Sequence, residues 1–225
     1  MAKRYDQYCP VAHALELVGE RWALLVVREL MRGPKRYTDL ADALGIGTNI
    51  LASRLRDLEA CGVVTTRKLP PPAASRVYEL TDYGRQLKAT VRELALWGAR
   101  SLGPPTDEHE MFPGWLENAL DTVLAPVAPP GRFEFRVGGE VASIVDGEAR
   151  PGPVDSPDVV VEADPAGMYY MFVDRRQDLV SIAGDHDLLG QLLDAAQDQA
   201  ARASAPAPTR DARPRTDTVR LNPVT

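Results

Sequence analysis

A chain of 225 residues, 44% hydrophobic and 26% charged, has room for one large or two modest domains and is too apolar to be wholly disordered, collagenous or disulfide-held. Its formal charge of −6 hides an asymmetry: residues 1–100 carry +5, residues 101–203 carry −13 and residues 204–225 carry +2, so the first part suits a polyanionic partner and the second repels one. The start has no signal-peptide core and no apolar run approaches the ~20 residues of a membrane span, so a cytoplasmic protein without a membrane partner is expected, with Cys9 and Cys61 as reduced thiols.

Trp22, Leu25, Val26 and Leu30 recur at helical spacing and stop at Gly33-Pro34, which predicts a core helix. Thr38 to Leu44 reads as a short helix, Gly45-Ile46-Gly47 as a turn, and Thr48 to Ala60 as a longer helix ended at Gly62. That spacing is helix-turn-helix. Two β-rich runs, Val63 to Thr66 and Arg76 to Leu80, flank a proline-rich tip and predict a hairpin. From Asp82 a last helix carries Tyr83, Leu87, Val91 and Leu94 to about Leu102, a stripe long enough to take a partner helix.

On the Thr48–Ala60 helix, Leu51, Leu55 and Leu58 form one stripe, and Asn49, Ala52, Ser53 and Arg56 lie on the opposite side. Those residue types suit a DNA major groove. Asn pairs with adenine, Arg with guanine, Ser with several base edges, and Ala leaves room for a thymine methyl. Thr48 stands where unpaired backbone N–H groups would hold a phosphate, and Lys35, Arg36, Arg67, Lys68 and Arg76 supply phosphate charge. A plain solvated face is the competing reading of that stripe; the basic hairpin and the basic half-chain favour DNA.

Residues 9–100 resemble the HxlR family of winged helix-turn-helix transcriptional regulators. The resemblance rests on Cys9-Pro10-Val11, Gly19-Glu20-Arg21-Trp22, Arg28-Glu29-Leu30 with Gly33-Pro34, Arg36-Tyr37-Thr38-Asp39-Leu40, the run GIGTNILASRLRDLEACGVV, Leu80-Thr81 and Trp97-Gly98. It implies a homodimer joined by the first and last helices of the domain, reading double-stranded DNA at a pseudo-palindromic operator. The tip Leu69 to Ser75 departs from the family's shorter wing. Cys9 matches a near-terminal cysteine that several members use as a redox or electrophile sensor; a packed, unreactive cysteine is the competing reading. Cys61, beside Gly62 at a helix end, reads as structural. Cys9 and His13 alone do not make a zinc site, and neither metal nor cofactor is expected.

The prolines of Gly103-Pro104-Pro105 and the change of charge sign mark a linker over residues 104–111 between a first domain at 1–103 and a second at 112–200. In the second domain an amphipathic helix from Trp115 ends before Pro126. Strands follow at Phe133 to Val137, Val141 to Val145 and Val159 to Val161, then a helix from Pro165 to Arg175, a strand from Leu179 to Ala183 and a helix from Asp187 to Ala200. Residues 201–225 lack apolar periodicity and read as a disordered tail.

This order, with the Asp146-Gly147 turn, the Ala163-Asp164-Pro165 helix start and Gly184-Asp185, resembles the sterol carrier protein type-two fold over residues 112–200. The fold class expected for the whole is therefore α+β: a winged helix-turn-helix followed by a small sterol-carrier-like domain. The second resemblance implies an apolar tunnel for a hydrophobic small-molecule effector, with Phe133, Phe135, Ile144, Met168, Tyr169, Met171, Phe172 and Leu189 as candidate lining; ordinary core is the competing reading of each. The alternative function is a redox or electrophile-sensing repressor using Cys9, with a purely structural second domain. An enzyme is not expected, because H-E-x-x-H, G-x-S-x-G, the Walker loop and the full dinucleotide signature are missing.

Overall fold

The apolar spacings of the first hundred residues become helices that share one core. In a computed structural model, which describes residues 5–72, 74–106 and 108–202, α1 (Pro10–Val18), α2 (Ala23–Met31), α3 (Tyr37–Leu44) and α4 (Thr48–Ala60) are followed by β1 (Val64–Lys68) and β2 (Arg76–Leu80), then α5 (Asp82–Arg85) and α6 (Leu87–Ala99). Val26, Val27, Leu40, Leu51, Leu55 and Leu58 are almost wholly buried at its centre. Leu25 does not join them: it stands off the stripe formed by Ala23, Val26, Val27 and Leu30 and is exposed. Trp22 lies outside α2, in the left-handed region at φ 79°, where a bulky side chain is uncommon.

The helix expected from Asp82 is two helices. Thr81 caps α5, accepting from the Gly84 N–H at 3.0 Å and donating to the Gly62 carbonyl at 2.6 Å, so one hydroxyl ties the end of the hairpin to the end of α4. Gly84 is needed there, because a Cβ would come within 2.1 Å of the Val63 carbonyl oxygen.

The second domain begins with α7 (Trp115–Ala119), which continues as a π turn over Leu120–Leu124 and a 3-10 turn over Ala125–Val127 in place of the single helix expected. Then come β3 (Arg132–Val137), β4 (Glu140–Val145), β5 (Glu148–Pro151), β6 (Val159–Ala163), α8 (Pro165–Asp174), β7 (Ser181–Gly184) and α9 (His186–Arg202). The sheet order is β5-β4-β3-β6-β7, with β3 and β6 parallel and the other pairs antiparallel. β5 had no signal of its own: Glu148-Ala149-Arg150-Pro151 is a poor strand sequence that pairs because the Asp146-Gly147 turn folds it onto β4. α9 runs two residues into the expected tail; residues 203–225 lie outside the described residues.

Strand alternation sorts the two faces of this sheet. Phe133, Phe135, Val137, Ile144, Val159 and Val161 turn toward Leu116, Leu120, Met171, Leu189 and Leu192 of the helices. On the other face Glu134 and its cross-strand neighbour Ser143 are each 2% exposed. Burial pushes the Glu134 carboxyl up, but the Arg136 hydrogen bond at 2.8 Å, the Val154 N–H at 3.0 Å and the Arg136 charge outweigh it and hold the carboxyl below its ordinary range.

Candidate nucleic-acid interface

α4 is placed by its buried leucines and by the turn ahead of it. Gly45 ends α3 in the left-handed conformation at φ 57°, a turn that glycine makes without the strain a Cβ brings. The Tyr37 hydroxyl donates to the Thr48 carbonyl, binding the start of α3 to the start of α4. With Leu51, Leu55 and Leu58 inward, Asn49 and Arg56 are exposed, while Ala52 and Ser53 beside them are half-buried. Arg56 lies along the helix, its Nε donating to the Ala52 carbonyl at 3.3 Å. Arg54, on the same helix, is used internally: it reaches Glu20 at 3.5 Å and Asp57 at 3.2 Å.

The N-terminus of α4 has neither a side-chain cap nor an acidic residue in its first turn. The Ile50 N–H already donates to the Gly47 carbonyl at 3.0 Å, which leaves the N–H groups of Thr48 and Asn49, two exposed residues, for an anion. Among the flanking cations, Arg36 is exposed. Lys35 does not join this surface; it is turned inward, with Nζ 3.5 Å from a buried Glu29 oxygen.

The hairpin separates its cations in the same way. Arg67 is held across the strands by Glu79 at 3.0 Å, a hydrogen-bonded pair that raises the guanidinium's pKa and lowers the carboxyl's. Lys68 and Arg76 stand directly opposite one another, both exposed, and neither has an ion-pair partner among the described residues. Like charges in cross-strand register repel. An anion between them removes that cost.

Residues 17–105 match the model of the HxlR-like helix-turn-helix family. Over 98 residues the chain is 34% identical to the HTH-type transcriptional regulator YodB of Bacillus subtilis, spanning 43% of this chain and 88% of YodB. The chain belongs to the HxlR-like helix-turn-helix family. It is also 42% identical over 99 residues to an uncharacterised HTH-type transcriptional regulator of Mycobacterium tuberculosis, a match that spans 42% of this chain and 63% of that relative's length. Among solved structures, the reduced form of YodB from B. subtilis is 33% identical, with 42% of this chain and 94% of that one covered and a TM-score of 0.38.

The HxlR-like domain does not stand apart from the second domain. Glu29 of α2, 1% exposed, accepts from Arg28 at 2.8 Å and from the Asn118 amide of α7 at 3.1 Å, and lies 3.8 Å from Arg32. Arg32 in turn pairs with Glu117 and donates to the Gly114 carbonyl at 3.4 Å. The Phe112 ring sits against Gly45, where a Cβ would come within 2.5 Å of it. None of these contacts was read from the sequence. The available signal was Glu29 itself, a charge three residues from Val26 on the inward face of α2.

Of the residues proposed for a hydrophobic effector, Phe133, Phe135, Ile144, Met171 and Leu189 are buried in the core of the second domain and Met168 and Phe172 are half-buried against it, whereas Tyr169, also half-buried, does not pack on that core and stacks edge-on with Tyr170 instead. The Phe135 and Phe172 rings are 6.5 Å apart, and burial raises the Tyr169 hydroxyl pKa. Four clefts of about 250 to 730 Å³ among the described residues are lined by other side chains. Cys9 is a half-buried free thiol at the residue that precedes α1; Cys61, also free, lies 3.5 Å from the Leu58 carbonyl oxygen. No helix among the described residues is long and apolar enough to cross a membrane.

Proposed function

We propose that the chain is a dimeric, sequence-specific DNA-binding transcriptional regulator, acting as a repressor, whose second domain binds a hydrophobic small molecule. What supports the DNA reading is the exposed Asn49 and Arg56 on the outward side of α4, the helix's N-terminus without a side-chain cap, and the facing cations Lys68 and Arg76 on the hairpin. Asn49, Ala52, Ser53 and Arg56 read base edges; Thr48, Arg36, Lys68 and Arg76 hold phosphates, and Arg67 contributes less because Glu79 already neutralises it.

Exposed apolar side chains support the dimer. Val11 and Leu15 on α1 are 68% and 46% exposed, and Leu94 and Trp97 on α6 are 47% and 66% exposed, apolar surface that a second copy would cover. Pairing those faces presents two copies of α4, for half-sites about one DNA turn apart. A hydrophobic effector acts by binding one dimer geometry more tightly, and about 1–3 kcal/mol of coupling changes operator affinity about 5- to 150-fold.

The test is operator binding in reducing buffer, with DNA from upstream of the chain's own gene, random DNA as control, and fractions of apolar cell extract as titrant. Release by one fraction that is lost in Phe172→Ala, with unliganded DNA binding intact, is the expected result. Equal loss of both in that variant removes the effector assignment. A second reading, that Cys9 is a redox or electrophile sensor, is favoured by its free, partly accessible thiol at the start of α1, one of the two helices proposed to form the dimer. A Cys9→Ser variant that responds to oxidant like the wild type removes that reading.

A further inference from the structure

The two domains enclose a cleft of about 560 Å³ whose walls differ in charge. From the first domain it is lined by Arg28, Arg85, Lys88 and Arg92, and the only carboxylate among the residues lining the cleft is Asp121 of the second domain. Two of the cations are already satisfied: Arg28 by Glu29 at 2.8 Å, Arg85 by Asp82 and by the Leu80 carbonyl at 2.6 Å. The other two are less so. Lys88 is 66% exposed and its ion pair with Asp121 is long, at 3.9 Å, beyond hydrogen-bonding distance. Among the described residues Arg92 hydrogen-bonds uncharged oxygens, the Thr122 carbonyl at 3.4 Å and the Gln199 amide at 2.5 Å.

Lys88 and Arg92 are four apart on α6 and so share one helix face. Beside them Met31 and Val91 line one wall, and Ala125 and Pro126 the other. The lining thus combines incompletely neutralised cations with apolar side chains, in the size range of small-molecule sites. We infer that this interdomain cleft is a binding site for a small amphipathic anion, its carboxylate held by Lys88 and Arg92 and its apolar body laid against Met31, Val91, Ala125 and Pro126. A carboxylate suits Arg92 because the guanidinium offers parallel donors that carbonyl and amide oxygens use singly. The site is separate from the buried core residues proposed for a hydrophobic effector. Its occupant touches α2, which packs on both α3 and α4, and so rests on the regulator reading only for its effect on DNA.

The experiment is calorimetric titration of the full chain, without DNA, with octanoate, octanol and octylammonium. Octanoate is expected to bind about tenfold more tightly than octanol, as one charge-assisted pair implies, with octylammonium weakest. Lys88→Gln/Arg92→Gln should bring octanoate down to the affinity of octanol. Asp121→Asn should tighten octanoate about threefold by removing the competing carboxylate, a gain that a damaged fold does not produce. Absence of octanoate binding, equal affinity for acid and alcohol, an unchanged double variant, or no gain in Asp121→Asn would each overturn the inference. Because DNA is absent, these outcomes bear on the cleft alone, and operator titration reports separately on the regulator reading.

Discussion

Two clusters of cations on the HxlR-like domain, one at α4 and the hairpin and one at the end of α2, are put to opposite uses. Around Glu29 the chain gathers Arg28, Arg32 and Lys35 onto one buried carboxylate and adds Asn118 from the second domain. At α4 and the hairpin, Arg56, Lys68 and Arg76 have no carboxylate partner among the described residues, and two of them face each other across the strands. The difference teaches that composition does not assign a charge its role. A cation whose counter-charge is supplied inside the fold fixes geometry; one left without a counter-charge is available to an external anion.

The largest effect should come from breaking the first cluster. Glu29→Ala leaves three cations around a buried gap and is expected to cost about 3–5 kcal/mol in urea unfolding; a cost under about 1 kcal/mol would place the cluster with ordinary surface pairs. Glu134 sharpens the contrast inside the second domain, since it too is buried against one arginine. Glu134→Gln should lose about 1–3 kcal/mol at neutral pH. Because the fold lowers this carboxyl's pKa, its contribution is present above the ordinary carboxylate value and lost as pH falls through the folded one. The gap in urea midpoint between wild type and variant should therefore narrow below about pH 4.

The unpaired cluster should respond in binding and hardly at all in stability. Arg56→Ala is expected to keep unfolding free energy within about 0.5 kcal/mol while relaxing preference at one base position by about 1–3 kcal/mol; uniform weakening on every sequence would make Arg56 a phosphate contact. The smallest effect is that of Lys68→Ala, which should lower the magnitude of the log–log salt slope by about one on any duplex. An unchanged slope would remove the hairpin tip from the interface.

How far the sequence reached follows the same division. Helical periodicity found α4 at its observed limits, Thr48–Ala60, because its three leucines and outward polar residues are a local pattern. The strands β3, β4 and β6 were legible from alternation around glycine turns. β5 was not, since Glu148 to Pro151 owes its pairing to the preceding turn and to β4. Among site residues, Asn49 and Arg56 could be placed on the outward face by angle alone, yet nothing local showed that Lys35 turns inward or that Arg67 is held by Glu79. Those outcomes depend on partners 6 and 12 residues away. The junction was least legible of all: Glu29 and Asn118 are 89 residues apart, and no periodicity relates them.

The most direct test of the DNA reading is selection of duplexes from a random pool by the full chain in reducing buffer. The expected result is enrichment of a two-fold-related pair of half-sites about one helical turn apart, with the preference at one position in each half lost in Arg56→Ala. Enrichment of no common site, or a site whose base preferences survive changes at both Asn49 and Arg56, would contradict the assignment of α4 as the reading helix.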